Sequence, residues 1–176
     1  MSALSEISAL APASSRDARD IVAFTFTSGG EWFGLPISNV FSVFTVEAFT
    51  PVPLGPPEIV GLINLRGTIV TAVSLRQRLG MAPDPAIRGA LAVGLQHNGE
   101  NFALIVDEAS DVVDLTTPRR LATPANVDAI RSAMTRQVYS LEDRILSVLD
   151  LAALLTFSGA KQREKKPVAH YEEAHS

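Results

Sequence analysis

The sequence predicts an all-β protein: two similar lobes packed together, with only short helical turns. Three observations carry this: apolar residues alternate with period two, glycine pairs separate the alternating runs, and half of the pattern recurs. In "IVAFTFT", Val22, Phe24 and Phe26 share one face. Leu91, Val93 and Leu95 do so in "ALAVGLQ", and Phe102, Leu104 and Val106 in "NFALIVD". Successive strand side chains point to opposite faces, so this spacing marks half-buried strands. Gly29-Gly30 and Asn98-Gly99 fall between such runs. They supply the positive backbone angles that two-residue hairpin loops require.

The recurrence makes two lobes the economical reading. "VAFTFTSGGEWFGLPI" (22–37) matches "LAVGLQHNGENFALIV" (91–106) at an offset of 69 residues. "AVSLRQRL" (72–79) matches "VLDLAALL" (148–155) at an offset of 76. Each of the latter is a strand ending in Ser74 or Asp150, followed by a short apolar run. Both residues are N-cap types, whose side-chain oxygen accepts an orphan helix N–H. Independent hairpins with convergent patterning would look the same on this evidence alone.

The folded body is expected over residues 20–159. An Ala- and Ser-rich arm precedes it (1–19), with Leu4, Ile7 and Leu10 as one weak helical stripe, and a polar tail follows (160–176). "MAPDPAIRG" and "TTPRRLATPAN" read as loops. In "TPVPLGPPEIVG", Pro56-Pro57 before Glu58 predicts a single helical turn. The segment 126–134 is the best helix candidate in the body.

Composition narrows the function. With 176 residues and 47% hydrophobic content, the chain is long enough to bury roughly 70% of its unfolded surface. The absence of cysteine excludes a disulfide frame, a thiolate zinc site and a cysteine nucleophile, and agrees with a reducing cytoplasm. A net charge of -4 argues against general nucleic-acid binding, which neutralises phosphates with cationic surface. No run approaches the roughly 20 apolar residues of a membrane helix. The N-terminus lacks the basic start and apolar stretch of a signal peptide.

Catalytic constellations are missing from the pattern. His97 flanks a turn, and His170 and His175 lie in the tail. Metal-ligand spacings, phosphate loops and nucleophile elbows are absent. Asp107, Glu108, Asp111 and Asp114 sit at strand ends and read as solvated or turn-forming. Trp32 and Phe33 point to opposite faces, which gives Trp32 a core or inter-lobe role ahead of an exposed contact. No catalytic residue, metal or cofactor is expected. What remains is "GLINLRG". Leu62, Asn64 and Arg66 would share one face and Ile63 and Leu65 the buried one. Gly67 then permits a turn that Asn64 holds through local backbone. The five donors of Arg66 suit either a partner or an intramolecular carboxylate, and the residues alone leave both open.

Taken together, "IVAFTF", "EWFGLPISNV", "VPLGPPEIVGLINLRGTIV", "SLRQRLG", "ALIVDEASDVVDL" and "RILSVLDLAALL" resemble CheW-type chemotaxis adaptors from Ile21 to Leu155. "G-x-x-N-L-R-G" before an apolar strand is the more specific signal. The same domain ends the kinase CheA and begins CheV-type proteins. Without a kinase or receiver segment, the standalone adaptor is what this sequence resembles. The resemblance implies two five-stranded β-barrel lobes with a hydrophobic groove between them and no chemistry of their own. The implied partners are the helical cytoplasmic tip of chemoreceptors and the regulatory domain of the histidine kinase CheA. Nucleic acid and membrane insertion have no part, and the location is cytoplasmic, peripheral to receptor arrays. By motif position the receptor- or kinase-binding residues would be Ile37, Val40, Ser42, Gly61, Asn64 and Arg66. Gly67, Ser74 and Asp150 would be structural turn and cap residues. The chain departs from the family pattern at Ser42, often acidic there, at Thr71, usually Pro, and at Ser74, usually Asp. These departures leave room for an adaptor of a non-flagellar system, or one that occupies array sites without activating the kinase. A small-ligand binder using the groove is the competing class.

Overall fold

The computed structural model describes residues 22–157. The arm over 1–19 and the tail over 160–176 lie outside the described residues. In chain order the strands are β1 (Val22–Ser28), β2 (Glu31–Pro36), β3 (Val40–Thr45), β4 (Ile59–Leu65), β5 (Thr68–Ser74), β6 (Leu91–His97) and β7 (Glu100–Val106). They continue with β8 (Glu108–Asp114), β9 (Arg119–Leu121), β10 (Thr135–Ser140) and β11 (Ile145–Leu149). Short helices α1 (Leu75–Arg78), α2 (Ala129–Met134) and α3 (Leu151–Leu154) interrupt them, and a 3-10 turn spans Ile37–Asn39.

The strands form a six-stranded sheet, β8-β1-β2-β11-β10-β9, and a five-stranded sheet, β3-β6-β7-β5-β4. The all-β two-lobe architecture is as the sequence indicates, but the lobes are not the two halves of the chain. The first hairpin, β1-β2, joins strands of the second half, and the hairpin β6-β7 joins strands of the first. The two offsets seen in the sequence reappear in the register. Phe33 of β2 stands opposite Ser147 of β11, and the matching positions, Phe102 of β7 and Thr71 of β5, stand opposite each other. Both junctions are parallel pairings, while the other strand pairs are antiparallel. The repeat is therefore structural, with the hairpins exchanged.

Exchange also explains why strands read as half-buried are buried on both faces. Phe24, Phe26, Val93, Leu95, Phe102 and Leu104 belong to one large apolar cluster that takes residues from both sheets. Between them, the small or branched residues Ala92, Ala103 and Ile105 fill the interior of the five-stranded lobe, and Ala23 that of the other. The lobes thus meet through the largest core.

The barrel description needs a similar correction. Neither sheet closes by continuous strand pairing. In the five-stranded lobe, β3 and β4 are the outer strands, and an isolated bridge spans their gap: Thr50 and Leu62 exchange backbone hydrogen bonds of 2.8 Å. Gly61 lies just beneath. A Cβ there would stand 2.4 Å from the Thr50 carbonyl oxygen, so only glycine lets the segment cross β4 this closely.

Helix ends follow the capping chemistry. Ser74 Oγ accepts from Gln77 N and Asp150 from Ala153 N. Ser74 is fully buried and also donates to the Asp84 carboxylate, so a carboxylate reaches this helix start from the 81–90 loop. The helix read at 126–134 is present as α2, capped by Asp128. Pro56-Pro57 open no helix: Ile59 N bonds back to Pro56 carbonyl at 3.0 Å, a turn that feeds directly into β4.

Candidate partner-binding surface

The "NLRG" segment is the loop of the β4-β5 hairpin. Leu65 pairs with Thr68, leaving Arg66 and Gly67 as the two loop residues, at φ 52° and 86°. The strand ends one residue earlier than the alternation suggested. Arg66 therefore does not share a face with Leu62 and Asn64 but sits at the hairpin tip. Positive φ at both loop residues matches the right-handed twist of the flanking strands, which is why tight hairpins adopt it. Asn64 Oδ1 accepts from Gly67 N at 2.8 Å and ties the tip back to the strand. The left-handed conformation costs a non-glycine residue about 1–2 kcal/mol. Arg66 is exposed and enters none of the ion pairs or side-chain hydrogen bonds among the described residues.

Next to the tip runs a groove of about 650 Å³ along the open seam of the five-stranded lobe. Thr45, Glu47, Phe49 and Thr50 form one wall, and Leu62, Asn64 and Arg66 the other. Leu62 and Ile69, on neighbouring strands, expose 38% and 58% of their surface beside it. Neither Leu62 nor Ile69 was singled out from sequence as a contact. Their signal was visible: apolar residues at the outward positions of a hairpin whose inward positions, Ile63 and Val70, are buried.

The other residues named by motif are placed differently. Gly61 is buried under Thr50 and shapes the seam without touching solvent. Ile37 and Val40 are half-buried, packed against the shared core where β2 passes into β3. Ser42 is half-buried on β3, opposite Gly94 across a register shift. Thus Asn64 and Arg66 come together at the seam, and Ile37, Val40 and Ser42 form a separate group towards the lobe junction. There a cleft of mixed character is lined by Pro36, Ser38, Asn39, His97, Asp150 and Leu151.

Asp107, Asp111 and Asp114 have structural partners. Asp107 accepts from Arg76 Nη2 at 2.7 Å and from Gly29 N at 2.8 Å, tying α1 to the first hairpin loop. Asp111 accepts from the Thr25 hydroxyl at 2.9 Å and pairs with Arg144 at 3.2 Å. The Thr25 bond, then those from Ser110 and the Arg144 charge, hold its carboxyl below the usual carboxylate range. Trp32 is half-buried and packs against the core of the six-stranded lobe rather than the inter-lobe core, with the Arg144 guanidinium 4.1 Å from its ring centroid. Among the described residues no group of three or more His, Cys, Asp or Glu could hold a metal ion. No helix there is long and apolar enough to cross a membrane.

Comparison with known proteins agrees with this architecture. The family model of the CheW-like domain matches residues 23–159. A probable chemotaxis protein CheW of Rhizobium etli is 30% identical over 142 residues, 78% of this chain and 88% of that protein. Chemotaxis protein CheW of Bacillus subtilis is 27% identical over 130 residues, covering 74% and 83%. Among solved structures, the scaffolding protein TtCheW from Thermoanaerobacter tengcongensis superposes with a TM-score of 0.69 at 25% identity, over 80% of this chain and 95% of that one. Exchanged hairpins, the "NLRG" tip and a match covering most of the chain lead to one conclusion: the protein belongs to the CheW-like domain family.

Proposed function

We propose that this protein is a non-enzymatic chemotaxis adaptor that couples the cytoplasmic tip of a chemoreceptor to the regulatory domain of a CheA-type histidine kinase. The observation that carries the reading is the β4-β5 tip. An arginine held in a costly backbone conformation, braced by Asn64 and paired with no acid among the described residues, stands at a seam beside which Leu62 and Ile69 are exposed. Apolar anchors supply most of the affinity of such a surface, and a nearby planar cation sets register against a carboxylate or backbone carbonyls. The relatives' names, chemotaxis proteins and a scaffolding protein, point the same way. A small-ligand site is disfavoured because the seam is an open trough, where small-molecule sites are enclosed.

Arg66→Ala keeps the same backbone cost and removes no internal contact, so it is expected to leave the thermal unfolding midpoint unchanged. It should weaken binding to a receptor-tip fragment or to the kinase regulatory domain at least 10-fold by calorimetry, typical of a central interface arginine. Unchanged affinity for both fragments would remove Arg66 from the surface.

A further inference from the structure

We propose that Leu54, at the tip of the β3-β4 loop, is a second anchor of this adaptor and inserts into an apolar pocket of a folded globular partner domain. The inference rests on the adaptor reading above and names which kind of partner meets which surface.

Three described non-glycine residues have positive φ: Leu54 at 61°, Arg66 at 52° and Asn98 at 50°. Asn tolerates this conformation through local hydrogen bonding, so Asn98 needs no explanation. Leu54 does. Pro53 precedes it and Gly55 follows, in a turn whose second central position, at positive φ, is normally filled by Gly or Asn. A γ-branched side chain there gains nothing locally, and Leu54 is fully exposed. The position therefore carries backbone strain and complete exposure of an apolar side chain, with no internal contact in return. Strain of this kind persists where surrounding structure enforces it, and it clusters at binding sites. Here the enforcement is visible. Pro51, Pro53, Pro56 and Pro57 restrict the loop, and both of its ends are pinned by backbone bonds: Thr50 to Leu62 and Ile59 to Pro56. The knob is preorganised, which lowers the entropic cost of binding.

The loop and the strands that flank it in sequence indicate the chemistry of the occupant. Six of the nine exposed large apolar residues among those described fall between positions 41 and 69: Phe41, Val43, Val52, Leu54, Leu62 and Ile69. From Thr50 to Pro57 the chain carries no charge, and Glu58 at the loop base faces Arg78 at 3.7 Å. A complementary pocket is therefore uncharged and concave. A helical rod offers a convex stripe that suits the seam groove, not a protruding turn. Within the adaptor reading, the globular kinase regulatory domain is thus the partner of Leu54, and the receptor tip is not.

Leu54→Asn separates this role from a structural one, because the two effects have opposite sign. Relief of the strained backbone should raise the unfolding midpoint by about 2–4 °C. Affinity for the purified kinase regulatory domain should fall about 10-fold or more, affinity for a receptor-tip fragment should be unchanged, and Leu54→Met should retain kinase binding. If wild-type protein binds the kinase domain and Leu54→Asn binds it equally well, the inference is overturned while the adaptor reading stands. An equal loss against the receptor fragment also overturns it, as does loss of a wild-type self-association in sedimentation, which would assign the knob to a second copy. If wild-type protein binds neither fragment, the adaptor reading fails and this inference with it.

Discussion

Arg66 and Gly61 lie five positions apart in one motif yet serve opposite purposes. Arg66 accepts a costly backbone to present a charge, whereas Gly61 gives up a side chain so that Thr50 can cross. Gly61→Ala would drive a Cβ into a backbone carbonyl, which cannot rotate aside as a side chain does. A loss of about 1–3 kcal/mol is expected in urea denaturation, the usual range for an overpacked site. A loss below a few tenths would mean that the Thr50–Leu62 bridge yields freely. At this scale the sequence was partly readable. The roles of Asn64, Ser74 and Asp150 follow from local hydrogen-bonding chemistry over two or three residues. Gly61 and Leu54 did not follow, because what they meet, or fail to meet, is set by segments brought together only in the fold.

The elements show how one pattern is put to two uses. Strands β3 and β8 occupy matching places, each at the edge of its sheet beside the exchanged hairpin. Strand β8 carries Glu108, Asp111 and Asp114, while β3 carries no charge and exposes Phe41 and Val43. Charges on an edge discourage pairing with another chain. Charge thus guards β8, which exposes Val112 as well, and is absent from β3. Asp111 also bonds inward to Thr25 and Arg144, and this couples stability to pH. Its folded carboxyl titrates below the ordinary value of 3.8, so its contribution is present above that value and is lost as pH falls. Asp111→Asn should therefore lower stability near neutrality and converge with wild type towards about pH 2. Solvent screens this exposed pair, so the difference should stay below about 1 kcal/mol. Parallel stability curves from pH 7 to about pH 2 would show that the carboxylate contributes nothing.

For the whole molecule, the alternation, the glycine turns and the two offsets made the element list and its repetition legible. The exchange of hairpins was not. A strand's period reports which of its faces is apolar, not which partner covers that face. Burial on both faces was signalled only by small residues between large ones, as in Leu91–Leu95 and Phe102–Val106. The consequence is a shared core between the lobes, with the seam and the β3-β4 loop outside it. The resemblance named Asn64 and Arg66, which the fold brings to that seam, and did not name Leu62, Ile69 or Leu54, whose exposure is set by the fold.

The central claim is coupling, and reconstitution tests it most directly. Receptor-containing membranes and the kinase are combined with and without this protein, and autophosphorylation is followed. An adaptor raises receptor-dependent kinase activity several-fold, and Arg66→Ala abolishes most of that increase. Identical kinase activity with and without the protein, at concentrations where it binds both partners, would contradict the account and leave a member that occupies array sites without activating the kinase.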